Sequence, residues 1–268
     1  MTRTVQLALR FAALTLAATM LVATVGGRAS AADPFVVISV TASGTTTLCD
    51  TDCVTCTVGS GECIVVGEED LVLCTPTSSG LPITACDWSE FLDGTATNVQ
   101  INTQIRALEI APNGNLAFVA LNDTAVPGVG TLLKQDIAVF DPADVSKPFF
   151  GGGPYDDGAF KLYLNGDLTQ QEEVAAKPWD AVSILPAGAC EAAITANGAA
   201  QHTCPIIGSL TGGSGTAGLD GVHFENEDLL RCQPDGFALN GTVESCAFSL
   251  LLEADQINGD GNGIGSDI

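Results

Sequence analysis

The sequence is short of the residues and motifs from which most catalytic sites are built. It has 2 histidines among its 268 residues, His202 and His223, and isolated histidines are usually structural or solvated. It contains no GxSxG nucleophile elbow, no Walker-type phosphate loop and no GxGxxG motif that leads from a strand into a helix. It also lacks a CxxCH motif, so an attached c-type haem is not implied. We therefore predict no catalytic residue.

Basic residues are scarce as well. The chain has 9 Lys and Arg against 32 Asp and Glu, which gives a formal net charge of −23. Such an acidic surface repels nucleic acid and anionic lipid, so neither is predicted as a partner. The same charge favours solubility, cation binding or a salty medium.

Long apolar runs are missing from all but the first residues of the chain. Arg3 and Arg10 precede an uncharged apolar stretch over 11–25, and small residues follow as far as Ala31. This pattern is typical of a signal peptide cleaved after Ala31, whereas a membrane anchor would need a longer apolar run. We expect residues 1–31 to be removed. Residues 32–268 are then one exported domain, extracellular or periplasmic, with no membrane span.

Helical periodicity is also rare, and short apolar segments take its place. Four of them, which we name pieces a, b, c and d, are 106–112, 115–123, 135–142 and 159–166. Each has the length of a strand and is closed by Gly, Pro, Asn or Asp. Asn113-Gly114, between a and b, supplies the positive φ that a tight hairpin needs. Pieces a and b are therefore predicted to pair as antiparallel strands.

The same pieces recur on both sides of this unit. Upstream, the segments 34–42, 68–76 and 86–94 match b, c and d. Downstream, the matches to a, b, c and d are 180–186, 190–198, 226–234 and 246–254. Piece c is the clearest, since in each copy an Asp stands just before the apolar run (Asp70, Asp136 and Asp228) and a Pro closes it. The sequence predicts one unit used three times, over 34–105, 106–179 and 180–268.

Ten cysteines follow the signal peptide, and this even number indicates disulfides in an oxidising compartment. Adjacent antiparallel strands bring their ends together, so we expect the bonds Cys74–Cys86 and Cys232–Cys246 between pieces c and d. Cys190 and Cys204 would close the b–c loop of the third unit. The remaining cysteines share one polar insertion and are Cys49, Cys53, Cys56 and Cys63. They allow three pairings. The CxxC spacing within them also fits a metal site, but the lack of nearby histidine and the exported location favour disulfides.

Short strands separated by turns indicate an all-β fold. The piece-a strands, the turns APNGN and PAGA and the Asp-led piece c resemble secreted bacterial β-propeller-like repeat proteins over most of residues 34–268. That resemblance implies repeated four-stranded antiparallel units in a partial ring of three, with a β-sandwich as the alternative. Because propellers use four or more blades, three explanations stay open. The chain is truncated, its units form an open array, or a homo-oligomer completes the ring.

Acidic residues are the candidates for cation binding. Asp70, Asp136 and Asp228 recur with piece c, which favours a structural role as acceptors of backbone hydrogen bonds, with calcium as the alternative. A second set alternates oxygen side chains with glycine near the end of the chain and consists of Asp255, Asn258, Asp260 and Asn262. It resembles the first half of an EF-hand loop. Calcium is therefore the one cofactor considered, and a turn-rich loop without an ion is the alternative.

These features favour a secreted, disulfide-stabilised β-repeat protein with a binding or structural role, whose partner is a protein or a glycan. Two alternatives remain. A propeller-type hydrolase acting on glycans or esters would require Asp70, Asp136 and Asp228 to converge on one pocket. A calcium-dependent adhesion or surface component would require a cation site.

Overall fold

A computed structural model describes the protein over these residues: 36–39, 45–49, 63–77, 86–110, 115–144, 153–170, 177–184, 204–211, 214–218, 221–225 and 228–253. The predicted signal peptide (1–31) and the predicted tail loop that starts at Asp255 lie outside these ranges. So do Cys53, Cys56 and Cys190.

Within the described ranges the protein is all-β, as predicted, with a single short helix. The elements are β1 (Val36–Ser39), β2 (Thr46–Cys49), β3 (Cys63–Val66), β4 (Leu71–Pro76), β5 (Cys86–Leu92), β6 (Ile105–Ile110), β7 (Leu116–Ala120), β8 (Thr124–Val126), β9 (Gly130–Leu132), β10 (Ile137–Pro142), β11 (Gly158–Leu164), α1 (Gly166–Gln170), β12 (Trp179–Ile184), β13 (Ile206–Leu210), β14 (Gly215–Ala217), β15 (Val222–Phe224), β16 (Leu229–Phe237) and β17 (Val243–Leu252).

The largest sheet has eight strands in the order β12-β13-β16-β17-β11-β10-β7-β6. It consists of two antiparallel four-stranded meanders, the middle meander (β6, β7, β10, β11) and the last meander (β12, β13, β16, β17). The meanders join where β11 and β17 run parallel, at Leu164 and Val243. The two edge strands, β6 and β12, also lie side by side, so the sheet is nearly closed and barrel-like.

A second sheet, which we call the first sheet, has the order β1-β4-β5 and is also antiparallel. Three two-stranded hairpins accompany the sheets: β2–β3, β8–β9 and β14–β15. The sequence pattern predicted none of these hairpins, because each is a pair of three- or four-residue strands in segments that read as variable loops.

The middle meander is buried on both faces because its side chains alternate between two cores. In β7, Leu116 and Phe118 belong to the core shared with the first sheet, which also contains Phe91. Ala117 and Val119 belong to the core shared with the last meander. The first sheet, the middle meander and the last meander are therefore packed face to face in chain order.

The predicted strands agree with this arrangement except in one place. Pieces b, c and d of the first unit, all four of the second, and a, c and d of the third each contain a strand. The third piece b was assigned to 190–198, which lies outside the described residues. The strand that pairs with both β12 and β16 is β13, so that assignment is wrong. Ile206 and Leu210 in β13 are fully buried, and a Cβ on Gly208 would lie 2.1 Å from the carbonyl oxygen of Ala181.

Candidate functional site

The three aspartates that precede β4, β10 and β16 make the same local contact. In each, one carboxylate oxygen accepts a hydrogen bond from the backbone N–H three residues earlier. The donors are Gly67 to Asp70 at 2.6 Å, Leu133 to Asp136 at 2.9 Å and Glu225 to Asp228 at 2.8 Å. The predicted structural role, as acceptors at the turn before piece c, is therefore present in all three.

In Asp70 and Asp136, the other carboxylate oxygen connects this turn to a glycine farther along the chain. Asp70 accepts the N–H of Gly94 at 2.9 Å, and Asp136 accepts the N–H of Gly166 at 2.8 Å. Both glycines follow a piece-d strand. A Cβ on Gly94 would lie 2.4 Å from the carbonyl oxygen of Glu69, so only glycine permits this approach. A Cβ on Gly166 would lie 2.2 Å from the carbonyl oxygen of Gln135.

These aspartates accept hydrogen bonds at three separate turns. The charges that raise the pKa of Asp136, after the larger effect of burial, are Asp167 and Asp123. Asp70 precedes a strand of the first sheet, whereas Asp136 and Asp228 precede strands of different meanders. Each carboxylate is occupied by backbone donors at its own turn. The hydrolase alternative required Asp70, Asp136 and Asp228 to converge on one another, and the hydrogen bonds of the described residues place them at three different turns instead.

One of the three turn aspartates, Asp70, belongs to a carboxylate cluster. Carboxylate oxygens of Asp70, Glu90 and Asp93 all lie within 4.8 Å of one another, with Asp70 buried and the other two half-buried. Burial, followed by the charges of Asp70 and Asp93, raises the pKa of Glu90 to about 7. Oxygen ligands at this spacing suit a hard cation such as Ca²⁺, and a pKa near 7 means that Glu90 takes up a proton as the pH falls through neutrality.

Sequence reasoning missed Glu90 and Asp93. Glu90 pairs with Val72, and the corresponding pairs are Leu162 with Ala138 and Leu250 with Leu230. A charged residue therefore stands where the other two d strands have leucine. That break in an apolar position was the available signal, and it becomes visible only once the strands are aligned by their pairing.

A polar seam joins the edge strands β6 and β12. Arg106 Nη1 lies 3.4 Å from Asp180 Oδ1 and 3.1 Å from Thr211 Oγ1. The register shifts after Ile105 in β6 and after Trp179 in β12, so Arg106 and Asp180 are the extra residues of two β-bulges. Bulges redirect side chains out of the regular alternation, which here turns both charged groups toward the seam.

Glu109 forms the second contact of the seam. Its carboxylate accepts hydrogen bonds from the backbone N–H of Ile184 and from Ser183 Oγ, the latter at 3.5 Å. Burial raises the pKa of Glu109 to about 7, although these two hydrogen bonds oppose the shift. Burial and the charge of Glu109 also raise the pKa of Tyr163. Side chains, and not a backbone ladder, thus close the described part of the sheet along this edge.

The disulfides agree with the predicted pairs. Cys74 is bonded to Cys86 and Cys232 to Cys246, with Cα atoms 5.2 and 5.3 Å apart. In the polar insertion the structure selects Cys49–Cys63, which joins β2 to β3. Cys204 is disulfide-bonded as well, and its partner lies outside the described residues. Phe140 and Gly158 occupy the corresponding places in the middle meander, where the Phe140 ring lies against Gly158 and fills the position of a bridge.

The histidines remain without a described catalytic context. His223 lies in β15 opposite Thr216, and His202 is outside the described residues. Among the residues described, no helix is long and apolar enough to cross a membrane. In comparisons with protein-family models, curated proteins and solved structures, nothing matches this chain.

Proposed function

We propose that this chain is a secreted, disulfide-stabilised β-repeat protein that binds a protein or glycan, or serves as a structural scaffold, and has no catalytic role. The observation that carries the proposal is the common role of Asp70, Asp136 and Asp228, whose carboxylates are all bonded to backbone N–H groups. These three aspartates could have supplied acid–base chemistry, but they stabilise the turns before β4, β10 and β16 by accepting backbone hydrogen bonds.

Support for a repeated, propeller-like unit comes from the packing order. The middle and last meanders each follow the order a-b-c-d, and the first sheet follows b-c-d. The a strands, β6 and β12, lie side by side, and Arg106 and Glu109 contact β12 in the same chain direction, at Asp180 and Ile184. Face-to-face packing in chain order with the first strands adjacent supports the proposal that these units are related as propeller blades are.

Support for export comes from the disulfides in both terminal sheets together with the basic, apolar and small-residue segments at the start of the chain. The acidic surface favours a partner with a basic or cation-bridged face.

The test of this proposal is expression of the full chain in an export-competent host, followed by mass measurement of the secreted protein without reductant. We expect a chain that starts after Ala31, with every cysteine oxidised. The same preparation is then assayed with panels of chromogenic glycosides and esters. Turnover that is lost in both Asp70→Asn and Glu90→Gln would overturn the non-catalytic proposal, and a retained leader would overturn export.

A calcium-dependent surface role is the second candidate, and the Asp70, Glu90 and Asp93 cluster is the observation that favours it. A divalent cation would offset the mutual repulsion of these carboxylates. Calorimetric titration of the native protein with CaCl₂ tests it, with Glu90→Gln as the variant and Glu244→Gln as the control. Heat that is lost only in Glu90→Gln supports this role, and the absence of heat in the native protein removes it from the described cluster.

A further inference from the structure

The β2–β3 hairpin covers one face of the first sheet. That face presents Ile38, Val72 and Trp88, and the hairpin packs Leu48 and Ile64 against them, together with the buried Val66. The opposite side of the hairpin faces solvent, with Val65 46% exposed. Cys49–Cys63 fixes the two hairpin strands to each other. The hairpin is therefore a small amphipathic layer with its apolar side on the sheet.

The covered face is the one that the other sheets use for stacking. Ile38 pairs with Val72 in the same register in which Phe118 pairs with Ala138 in the middle meander. Phe118 and Ala138 belong to the core shared with the first sheet. Leu230, the corresponding residue of the last meander, belongs to the core shared with the middle meander. At the start of the stack, the hairpin thus takes the place that a preceding sheet has elsewhere.

The last meander, at the far end of the stack, presents the face that in the other two sheets is covered by the next sheet. Phe91, Tyr163 and Leu251 are the extra residues of corresponding bulges in β5, β11 and β17. Phe91 and Tyr163 are 0% and 2% exposed because the next sheet covers them, but Leu251 is 51% exposed. Leu229 and Ile207 are half-buried on the same face.

We propose that the β2–β3 hairpin is an autoinhibitory cap that prevents head-to-tail association, in which the Leu251 face of one copy would pack on the first sheet of a second copy. The inference rests on the stacked units of the proposed function. The occupant is a second copy because each internal interface already pairs these two kinds of face. A heterologous contact of this type does not close on itself in a pair, so an uncapped chain forms extended oligomers.

The same geometry bears on the homo-oligomeric ring expected from the sequence. A second chain could complete a ring only by packing a sheet on the face that the hairpin covers. The proposal therefore makes the capped monomer the resting state, and the hairpin must be displaced before any stacking between copies.

The test opens the cap by substitution and measures association. Leu48→Asp with Ile64→Asp places two charges on the apolar side of the hairpin, and Thr47→Asp with Val65→Asp is the matched control on its exposed side. Trp88 emission reports opening, because Trp179, the other of the 2 tryptophans, is fully buried in a separate core. We expect the opened variant to sediment as concentration-dependent oligomers, and the native chain and the control to stay monomeric.

Adding Leu251→Asp to the opened variant is expected to restore the monomer. Leu168 on α1 is also exposed, so Leu168→Asp is the matched control, and it is expected to leave the oligomers in place. Cys49→Ser with Cys63→Ser is a milder way to open the cap if the charged variant fails to fold. An opened variant that remains folded and monomeric would overturn the inference and leave the stacked scaffold intact. So would association that ignores Leu251, or a native chain that already oligomerises. Loss of all sheet structure from the milder change, Cys49→Ser with Cys63→Ser, would instead contradict the proposed scaffold itself.

Discussion

Arg106 and Asp180 are each the extra residue of a β-bulge, and their side chains meet at 3.4 Å across the seam between β6 and β12. No backbone ladder is described between these two edge strands. They are linked instead by side chains from two bulges, each of which follows the first residue of its strand. The seam is completed by Glu109, which bonds the backbone of Ile184. The closure of the sheet therefore depends on a few side chains whose removal can be measured singly.

Loss of the ion pair is expected to weaken the seam slightly. Asp180→Asn leaves Arg106 without its carboxylate, and because both side chains are partly exposed we expect a loss of about 0.2–1 kcal/mol in the free energy of unfolding. Urea denaturation measures it, with the exposed Asp87→Asn as control. A double-mutant cycle with Arg106→Gln should show that the two losses are not additive. Additive losses would mean that the pair contributes nothing.

The turn aspartates are expected to be more sensitive than surface acids. Asp136→Asn keeps one acceptor oxygen but sets an amide NH₂ against a backbone N–H, either that of Leu133 or that of Gly166. We expect a loss of about 1–3 kcal/mol in the free energy of unfolding, because a buried donor loses its partner. Thermal and urea unfolding measure it, and the exposed Asp157→Asn should be nearly neutral. Equal stability of the two variants would refute the structural role of Asp136.

Glu109 gives the stability a defined pH dependence. Its pKa is raised from 4.5 to about 7 in the folded chain, so between these values the folded state binds more protons than the unfolded state. Stability from this group therefore falls as the pH rises from about 4.5 to about 7. Glu109→Gln, which can still accept a hydrogen bond from Ile184, should flatten that part of the profile. Melting temperatures at pH 5 and pH 8 measure it, with Glu244→Gln as a control that should keep the native slope.

Glu90 should act in the same direction. Burial disfavours its charge, and the charges of Asp70 and Asp93 add to this effect, so Glu90→Leu, which places here the residue type of Leu162 and Leu250, is expected to raise the melting temperature at pH 8 more than at pH 5. Thermal unfolding at the two pH values tests this, and Asp87→Asn on the same strand should shift neither temperature. A lower melting temperature at pH 8 would show that Glu90 has a stabilising partner there, such as a bound cation.

The disulfide of the first sheet should stabilise the protein more than the disulfide of the hairpin does. Cys74→Ala with Cys86→Ala removes a bridge that closes a short loop, and about 2–4 kcal/mol of stability is expected to go with it. Cys49→Ser with Cys63→Ser, confined to the hairpin, should cost the sheets less. Unfolding followed by near-ultraviolet circular dichroism compares the two variants. A larger loss from the hairpin bridge would mean that the cap, not the first sheet, sets the stability.

Local patterns in the sequence were sufficient for the strands that coincide with the predicted pieces and for the aspartates. Asp70, Asp136 and Asp228 could be found because each stands at a fixed distance before an apolar run, and the Cys74–Cys86 bond followed from the ends of two paired strands. The place of β13 was missed, because Ile206–Leu210 and the segment 190–198 are equally strand-like and only burial against β12 and β16 separates them. The parallel contact of Leu164 with Val243 leaves no local trace, since it joins strands far apart in the chain.

The middle meander has no counterpart of the two bridges, since Phe140 and Gly158 stand where its neighbours have cysteine. It is also the layer flanked by apolar neighbours on both sides, whereas the outer layers have one such neighbour among the sheets. Under a reducing agent the two ends of the molecule should therefore loosen first, and amide protons of β7 and β10 should be the last to exchange with solvent. Covalent reinforcement is placed where burial is least able to hold the chain together.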